Sequence, residues 1–435
     1  MKERWKPVSV VVCCLFLLTA CSHSWLLSGG SPNQGGETSD GRTEVVMWNL
    51  FGGGDAEYMQ DIVNAFNESQ SDYYIHNIMQ ENAEYYTKLL TSMGAGRGPD
   101  IAIAHDYVLA EFVNQDLLFD IGELDQEDVM QWEDFNQNIL QSTVFDDKHV
   151  AVPIDTHSQI MYVNNELVDG AGLLNEDGSI DMEESPQGFV DFFVTLKGEL
   201  DGEQMPFALS TNGSDPFWLW WTFYTQLGGE HILSEESIDD TSYALEEDKA
   251  IEAAELVRSL FQEHEVIPLN QADFYGNFQS GKSAVITTGV WATGIWETTD
   301  GLDFTPMPIP TLFDEEGAWG SSHTLILPAK DEVNEEVVQG AIQFLEFATD
   351  HGEMWAKAGH IPSKDTVVES EAFQSIPYRS DYAEVADYVN FLDQTIYTRG
   401  LQTVMQENLD RIWSGDISPE EAFDQIERDV EDLID

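Results

Sequence analysis

The sequence predicts an α/β protein with two domains, and three observations support this prediction. The chain has 435 residues, and single hydrophobic cores stop growing near about 250–300 residues, so two domains are expected. Apolar residues make up 42% of the chain and aromatic residues 11%, which is enough to fill two cores. Segments with the pattern of strands alternate with amphipathic helical segments from residue 44 onward.

The alternation begins with the order strand, helix, strand, helix, strand. These five segments lie at 44–50, 56–69, 73–78, 82–93 and 100–104. Such an order predicts a mostly parallel sheet with helices on both faces. In sheets of this kind the ligand lies beyond the carboxyl ends of the strands, so we expect a site there.

The alternation continues towards the C-terminus without any internal repeat. Further strand-like segments lie at 150–154, 160–163, 284–288 and 325–327. Helical segments lie at 186–200, 216–227 and 249–263, and nearly all of the chain after residue 332 has a helical pattern. The later part of the chain is therefore expected to add strands and helices to the same kind of architecture.

The N-terminus has the pattern of a bacterial lipoprotein leader. Three basic residues precede an apolar run at 8–18, which is too short to span a bilayer comfortably but suits a signal peptide. Leu-Thr-Ala-Cys at 18–21 resembles the bacterial lipobox, whose Cys carries a diacylglycerol. We therefore predict a signal peptide at 1–20, lipidation of Cys21, and a flexible tether at 21–43 that is rich in Gly, Ser, Asn and Thr. The alternative is a simple signal peptide with a chance Cys.

The charge of the chain limits its partners. Asp and Glu number 81 against 18 Lys and Arg, which gives a formal net charge of −63. Binding to nucleic acid needs basic side chains that neutralise phosphates, so nucleic acid is excluded as a partner. Self-repulsion of this size is screened at high ionic strength, so a saline (halophilic) or alkaline habitat fits the composition. All three cysteines lie within the first 21 residues, so no disulfide or thiolate site is expected in the folded body.

Six motifs occur in the same order as in a known family. They are VVMWNLFGGGDAEYMQDIVNAFN at 45–67, GRGPDIAIAHD at 96–106, VPIDTHSQIMYVNNELVDGAGL at 152–173, FQSGKSAVITTGVW at 278–291, GAWGSSHTLILPA at 317–329 and MWAKAGHIPSK at 354–364. Together they resemble the extracellular solute-binding proteins of carbohydrate ABC importers, the maltose-binding-like family 1. Each motif is loose alone, but six in order carry the resemblance.

This resemblance implies the architecture and the function. Two α/β lobes are joined by crossing hinge strands, as in periplasmic binding proteins, and they close on a ligand. The first lobe is expected at 44–153 plus 292–322, and the second at 154–291 plus 323–435. The protein is expected to be a lipid-anchored monomer on the outer face of the cell membrane. It would bind a mono- or oligosaccharide without catalysis, cofactor or metal, and would deliver it to the membrane subunits of an ABC permease.

The candidate ligand-binding residues combine aromatic planes with polar groups, because sugars present apolar C–H faces and a ring of hydroxyls. The aromatic candidates are Trp48, Trp218, Trp221, Trp291, Trp319 and Trp355. The polar candidates follow predicted strands or lie at proposed crossings between lobes: Asn49, Gln80, Glu81, His105, Asp106, Asp155, His157, Ser158, Gly320 and Ser321, with Thr156, Ser322 and His323 beside them. The competing interpretation places the indoles in the core and uses the polar groups as caps or hinge hydrogen bonds.

Other functional classes stay open at this point. A glycosidase-like enzyme also combines carboxylates with aromatic residues, but its two acids must lie about 5–9.5 Å apart, which a sequence does not measure. The chain has no nucleophile elbow, HExxH motif or Cys–His pair. A phosphorylated ligand is disfavoured by the small number of Arg residues. A sensor that presents bound sugar to a receptor is compatible with the same residues.

Overall fold

The computed structural model describes residues 36–52, 54–80, 84–234, 237, 240–271 and 273–435. The predicted signal peptide, Cys21 and most of the predicted tether lie outside these residues. Within them the chain forms two α/β lobes, each built on its own sheet. None of the helices among the described residues combines the length and the apolar character needed to cross a bilayer.

The strands and helices alternate along the chain. The strands are β1 Thr43–Asn49, β2 Tyr73–Met79, β3 Ile101–His105, β4 Val144–Phe145, β5 Lys148–His149, β6 Ala151–Pro153, β7 Asp155–Asn164, β8 Met205–Ala208, β9 Ser283–Gly289, β10 Phe304–Met307, β11 Ala318–Ser321, β12 His323–Ile326, β13 Ile361–Pro362 and β14 Val389–Asn390. The helices are α1 Asp55–Ser69, α2 Tyr85–Gly94, α3 Leu109–Val113, α4 Ile121–Leu124, α5 Gln137–Gln141, α6 Asn165–Gly170, α7 Pro186–Glu199, α8 Ser214–Gln226, α9 Glu247–Gln262, α10 Phe274–Gln279, α11 Thr293–Glu297, α12 Glu335–Asp350, α13 Gly352–Ala356, α14 Asp365–Val368, α15 Glu371–Gln374, α16 Thr398–Trp413 and α17 Pro419–Ile434.

The first lobe has a five-stranded sheet in the order β2-β1-β3-β12-β6. Strand β1 pairs in parallel with β2 and β3, which is the arrangement that the first five predicted segments require. Strand β12 runs antiparallel to both β3 and β6. Helix α1 buries Met59, Ile62, Val63 and Phe66 against this sheet, because these residues recur at helical spacing.

The second lobe is centred on β7, whose ten residues are all buried. Its sheet has the order β14-β11-β7-β9-β8, and β10 and β13 also pair with β7. Helix α8 carries six aromatic residues, and its Trp220 and Trp221 are fully buried in the core. The Trp220 Nε1–H donates to the carbonyl of Ala250, so the only polar atom of that indole is satisfied there.

The chain crosses between the lobes at three places. It steps from β6 to β7 through Ile154, from β11 to β12 through Ser322, and from α13 in the first lobe to β13 in the second. These crossings put the ends of β7 and β12 side by side, and the Ile154 N–H donates to the carbonyl of His323 at 2.9 Å.

The predicted lobe boundaries after residue 291 are wrong. Strands β10 and β11, within 292–322, pair with β7 and so belong to the second lobe instead of the first. Strand β12 pairs with β3, and α12 packs in the core of the first lobe, although 323–435 was predicted to lie in the second. The pairing partners of such short apolar strands are set by contacts far apart in sequence, which periodicity does not reveal.

Candidate functional site

A cavity of about 560 Å³ opens between the two lobes. Its wall includes five aromatic residues, Phe51, Tyr107, Trp218, Trp291 and Trp319. Four histidines also line it, His105, His157, His323 and His360. The remaining lining residues are Leu50, Gly52, Asp55, Met79, Gln80, Ser214, Ser321 and Gln402. Among these described residues there is no Lys or Arg, so the cavity has no permanent positive charge.

Three indoles of the second lobe form one side of the cavity, which we call the aromatic wall: Trp218, Trp291 and Trp319. Trp218 lies on α8 and stacks on Trp319 of β11, with ring centroids 3.9 Å apart and planes at 18°. Trp291 follows β9 and meets Trp218 edge to face, with centroids 5.7 Å apart. The buried Nε1 atoms of Trp218 and Trp319 have no hydrogen-bond partner in the described part of the chain. The wall therefore offers flat apolar surface, and the N–H groups of Trp218 and Trp319 are buried behind it.

A chain of hydrogen bonds holds Trp291 in place. Its Nε1–H donates to the hydroxyl of Tyr275 at 3.2 Å, and that hydroxyl is also hydrogen-bonded to Thr288. The Thr288 hydroxyl in turn donates to Asp215 at 3.0 Å. Burial raises the pKa of Asp215 to about 6, and the Thr288 hydrogen bond offsets only part of that effect.

The neighbouring glycine allows Trp291 to fold back over the end of β9. A Cβ atom at Gly289 would lie 2.1 Å from the Trp291 ring, closer than real atoms approach each other. Any other residue at this position would push the indole away from its place in the cavity. The TTGVW sequence at 287–291 is therefore a local requirement of the aromatic wall.

The opposite side of the cavity contains the second group, the histidine floor, defined as Asp155, His157, His323 and His360. The Asp155 carboxylate is fully buried and accepts hydrogen bonds from Nδ1 of His323 at 2.8 Å and Nδ1 of His157 at 3.2 Å. It also accepts from the His323 backbone N–H at 2.9 Å and from Nε1 of Trp355 at 2.5 Å. These contacts join β7, β12 and α13, so the carboxylate links all three crossings.

Burial and nearby charge shift the pKa values in this region in different directions. Burial tends to raise the pKa of Asp155, but the imidazoles of His323 and His360 outweigh it and hold that pKa well below its ordinary range. Burial lowers the pKa of His323 to about 4 and lowers that of His105 well below its usual value. Burial opposes the charged form of His360 too, yet the carboxylates of Asp155 and Asp55 raise its pKa.

His105 and Asp106 connect the end of β3 to the same region. The hydroxyl of Tyr86 is hydrogen-bonded to Nδ1 of His105 at 2.5 Å and accepts the His105 backbone N–H at 3.0 Å. Asp106 is buried, and it accepts hydrogen bonds from the Ser321 hydroxyl and, at 2.9 Å, from the Ser322 N–H. Burial raises the pKa of Asp106, and these hydrogen bonds act against the increase. Asp106 is thus occupied with joining β3 to the crossing at Ser322.

The structure brings eight of the predicted site residues together around the cavity. They are Gln80, His105, His157, Trp218, Trp291, Trp319, Ser321 and His323. They come from both lobes, as an interlobe site requires. Glu81 lies outside the described residues.

The other predicted site residues do not line the cavity, contrary to prediction, because each is used elsewhere. Trp48 and Trp221 are core residues, and the Trp221 Nε1–H donates to the carbonyl of Asn390. Asp106, Asp155, Ser158, Gly320 and Trp355 lie behind the lining: the Ser158 hydroxyl donates to the carbonyl of Trp319, a Cβ at Gly320 would meet Val389, and Trp355 stacks on His360. Asn49 lies on another surface, where its side chain is hydrogen-bonded to Asn77.

Several lining residues were not proposed from the sequence. They are Leu50, Phe51, Gly52, Asp55, Met79, Tyr107, Ser214, His360 and Gln402. Leu50, Phe51, Gly52 and Asp55 lie between β1 and the start of α1 in the motif at 45–67, and Tyr107 comes just after the motif at 96–106. A search of strand ends extended by a few residues therefore finds these five. His360 has a weaker signal, since it follows Gly359 in a loop between α13 and β13.

The histidine floor is also the group that could hold a metal ion. Asp155, His157, His323 and His360 each offer one potential ligand atom, and these four atoms lie within 4.8 Å of one another. All four residues are buried. The cavity thus combines an aromatic surface suited to a flat apolar ligand face with a set of nitrogen and oxygen donors.

Comparisons with known proteins show which family and which proteins this chain is similar to. The family model of bacterial extracellular solute-binding proteins matches residues 52–355. The sn-glycerol-3-phosphate-binding periplasmic protein of Yersinia pseudotuberculosis is 21% identical over 412 residues, covering 88% of this chain and 90% of that protein. An arabinooligosaccharide-binding protein of Halalkalibacterium halodurans is 20% identical over 441 residues, covering 91% of each chain.

A solved structure gives the same answer for the fold. The cyclic alpha-maltosyl-1,6-maltose binding protein of Arthrobacter globiformis superposes with a TM-score of 0.76 at 21% identity, covering 91% of this chain and 99% of that one. The prediction of a two-lobed α/β binding-protein fold is confirmed by this likeness.

Proposed function

Because the chain belongs to the family of bacterial extracellular solute-binding proteins, we propose that it captures a neutral sugar in the cavity between its lobes. This membership confirms the prediction of the family. It also confirms the prediction that the chain is a binding protein and not an enzyme. We propose that the ligand is a di- or oligosaccharide and that the protein passes it to the membrane permease of an ABC importer.

The aromatic wall supports a sugar ligand most directly. Stacked Trp218 and Trp319 and the edge-on Trp291 present indole faces to one cavity. Aromatic planes bind the apolar C–H faces of sugar rings, while convergent polar groups bind the hydroxyls. The cavity of about 560 Å³ lies within the size range of sites for drug-sized ligands, which favours more than one sugar ring.

Relatives point to two chemical classes of ligand, and the charge of the cavity favours one of them. The Yersinia relative is named for sn-glycerol 3-phosphate, whereas the Halalkalibacterium relative is named for arabinooligosaccharides. A phosphate group is normally bound by Arg or Lys, or by a helix N-terminus. The described lining residues include neither Arg nor Lys. Helices α1 and α8 begin at the cavity, but both carry acidic residues in the first turn, Asp55 and Asp215, which disfavour a phosphate there. We therefore propose a neutral sugar for this chain.

A ligand screen by calorimetry and thermal shift tests this proposal directly. The mature protein is titrated in high salt with arabino-, malto- and other oligosaccharides, with glycerol 3-phosphate, and with amino acids. We expect one molecule of one oligosaccharide class to bind per chain. Saturation at 100 times the dissociation constant adds about 2.7 kcal/mol to the stability. Binding of glycerol 3-phosphate without any sugar would contradict the proposal and assign the chain to the other ligand class.

We also propose that ligand binding closes the two lobes. The cavity takes Gln80 and His105 from the first lobe and Trp218 and Trp291 from the second, so a ligand that touches both favours the closed state. Small-angle scattering with and without the identified sugar is expected to show a smaller radius of gyration in its presence. Equal radii would contradict closure.

The attachment to the membrane remains part of the proposal. We propose that Cys21 becomes the lipidated N-terminus and that the residues up to 43 tether the lobes to the outer face of the membrane. Cys21→Ser is expected to release the protein from membranes without changing its sugar affinity, because the site lies in the lobes. Mass spectrometry that finds an unmodified N-terminus elsewhere would contradict this assignment.

A further inference from the structure

The histidine floor has a chemistry that a neutral sugar does not require. We propose that Asp155, His157, His323 and His360 form a binding site for one divalent transition-metal ion of the zinc class. Their four potential ligand atoms lie within 4.8 Å of one another, and all four side chains are buried. This inference rests on the histidine geometry and is independent of the proposed sugar.

Two imidazoles of the histidine floor are held in the orientation that metal-binding histidines adopt. Asp155 accepts hydrogen bonds from Nδ1 of His323 at 2.8 Å and Nδ1 of His157 at 3.2 Å, so these contacts fix both rings. Within the described residues the Nε2 atoms of these two side chains form no hydrogen bond, and both side chains line the cavity. Proteins orient metal-binding histidines in this way, with one ring nitrogen on a carboxylate and the other free for the ion.

His360 is a third imidazole of the histidine floor, and its ring nitrogens are buried. It is 1% exposed, and neither of its ring nitrogens forms a hydrogen bond with the described part of the chain. Its Nδ1 lies 3.4 Å from an Asp155 oxygen, and its Nε2 lies 3.8 Å from an Asp55 oxygen. Burying an imidazole without hydrogen-bond partners is unfavourable, and coordination of a cation would satisfy it.

The carboxylates near the histidine floor also favour a bound cation. Asp55 and Asp155 bring two carboxylates to this end of the cavity, and no Lys or Arg occurs among its described lining residues. One divalent ion would balance two carboxylates. The formal net charge of −63 also attracts cations to the protein as a whole.

The donor atoms select the class of ion. Three imidazole nitrogens suit zinc and its neighbours cobalt, nickel and copper, whereas magnesium and calcium prefer oxygen donors throughout. Asp155 accepts the Nδ1 hydrogen bonds of His157 and His323, so it orients these rings instead of binding the ion itself. Donor atoms around a tetrahedral zinc ion lie about 3.4 Å apart, since each is about 2.0–2.1 Å from the ion. The potential ligand atoms lie within 4.8 Å of one another, so the donors would have to move closer together around the ion. His157 is on β7 of the second lobe and His323 is on β12 of the first, so such an ion would link the two lobes.

The test uses the mature protein after removal of metals with EDTA. Zinc chloride and cobalt chloride are titrated in high salt with excess magnesium, which suppresses weak binding to the acidic surface. We expect one zinc ion per chain by calorimetry, and visible cobalt absorption of the intensity typical of four-coordinate sites. His323→Gln and His360→Gln are each expected to weaken zinc binding by at least about tenfold, the lower end of what loss of an outer-shell partner costs.

Two controls keep the outcomes distinct. His76→Gln removes an exposed histidine that lies 3.1 Å from Glu44, and we expect unchanged zinc affinity. Trp218→Ala is expected to lose sugar affinity and to keep its zinc affinity. The sugar proposal and the zinc proposal can therefore fail independently of each other. If the histidine variants do not fold, as judged by circular dichroism, the zinc stoichiometry and cobalt spectrum of the wild type decide. No tight zinc binding to the wild type, or equal binding in folded His323→Gln, His360→Gln and His76→Gln, would overturn the proposal.

Discussion

The aromatic wall and the histidine floor face the same cavity but are built in opposite ways. The three indoles of the wall all come from the second lobe, and Trp291 is held by uncharged hydroxyls. The floor takes residues from both lobes and from the crossings, and its centre is the buried Asp155 carboxylate. The wall acts through area and shape, whereas the floor acts through charge and coordination. Changes in the wall should therefore alter affinity, and changes in the floor should alter the hinge as well.

The largest effect is expected from removing the centre of the wall. Trp218→Ala takes away the ring that stacks on Trp319 and meets Trp291, and aromatic residues at the centre of a binding surface commonly contribute 2 kcal/mol or more. We expect the sugar affinity to fall about 100-fold, measured by calorimetry, with little change in melting temperature.

Trp132→Ala is the matched control for this substitution. Trp132 is also a partly buried indole, stacked on His149 with centroids 4.0 Å apart, but it does not line the cavity. We expect this variant to bind sugar as the wild type does. Equal losses of affinity in Trp218→Ala and Trp132→Ala would mean that the wall has no special role.

The same contrast explains what the sequence could predict. The first lobe's β1, α1, β2 and β3 are contiguous segments whose periodicity is local, so their order was predicted correctly and their boundaries to within one residue. The lobe of β12 was predicted wrongly, because its neighbours β3 and β6 come from residues about 200 positions earlier. Local pattern identifies an element, whereas only tertiary pairing decides which sheet it joins.

The site divides in the same manner. Trp48 and Trp291 both end a strand, and the sequence offered no means to see that one indole is in the core and the other in the cavity. Asp155 and Trp355 are 200 residues apart and share one hydrogen bond, so the histidine floor exists only after folding. Residue types typical of sugar sites were recognisable, but their convergence was not.

A carboxyl group behind the wall should give the second lobe a pH-dependent stability. Burial raises the pKa of Asp215 from 3.8 to about 6, and the groups facing it are the hydroxyls of Thr288 and Tyr275. The folded state then binds more protons than the unfolded state between these values, so this group's contribution falls as pH rises through 6. Between pH 5 and 7.5 the loss is about 1.4 kcal/mol.

Asp215→Asn removes this contribution and so measures it. Chemical denaturation of wild type and variant at both pH values gives the difference in unfolding free energy. Relative to the variant, the wild type should be less stable at pH 7.5 than at pH 5 by about that amount. A difference that does not change with pH would show that Asp215 titrates normally in the folded protein.

A smaller effect is expected from the support of the wall. Tyr275→Phe removes the hydroxyl that accepts the Trp291 Nε1–H and leaves the rings in place. One hydrogen bond contributes about 1 kcal/mol, so the sugar affinity should fall about fivefold. Tyr224→Phe is the control, because its hydroxyl donates to the carbonyl of His231 away from the cavity, and it should leave the affinity unchanged. An unchanged affinity in Tyr275→Phe would mean that ring packing alone positions Trp291.

The smallest effect on the wall should come from salt, and here the two surfaces differ most clearly. Raising monovalent salt from about 0.1 M to 1 M shortens the Debye length from about 10 Å to about 3 Å. A neutral sugar on indole faces has no charge to screen, so its affinity should change by less than about twofold. Zinc on the histidine floor is attracted by the −63 charge of the chain, so its affinity should fall over the same range.

The melting temperature should rise, because screening relieves the repulsion among 81 acidic residues. Calorimetry at several salt concentrations measures the sugar affinity, the zinc affinity and the melting temperature on one preparation. A sugar affinity that falls as steeply as the zinc affinity would mean that the ligand on the wall is a cation held by carboxylates, and the division between an apolar wall and a charged floor would be wrong.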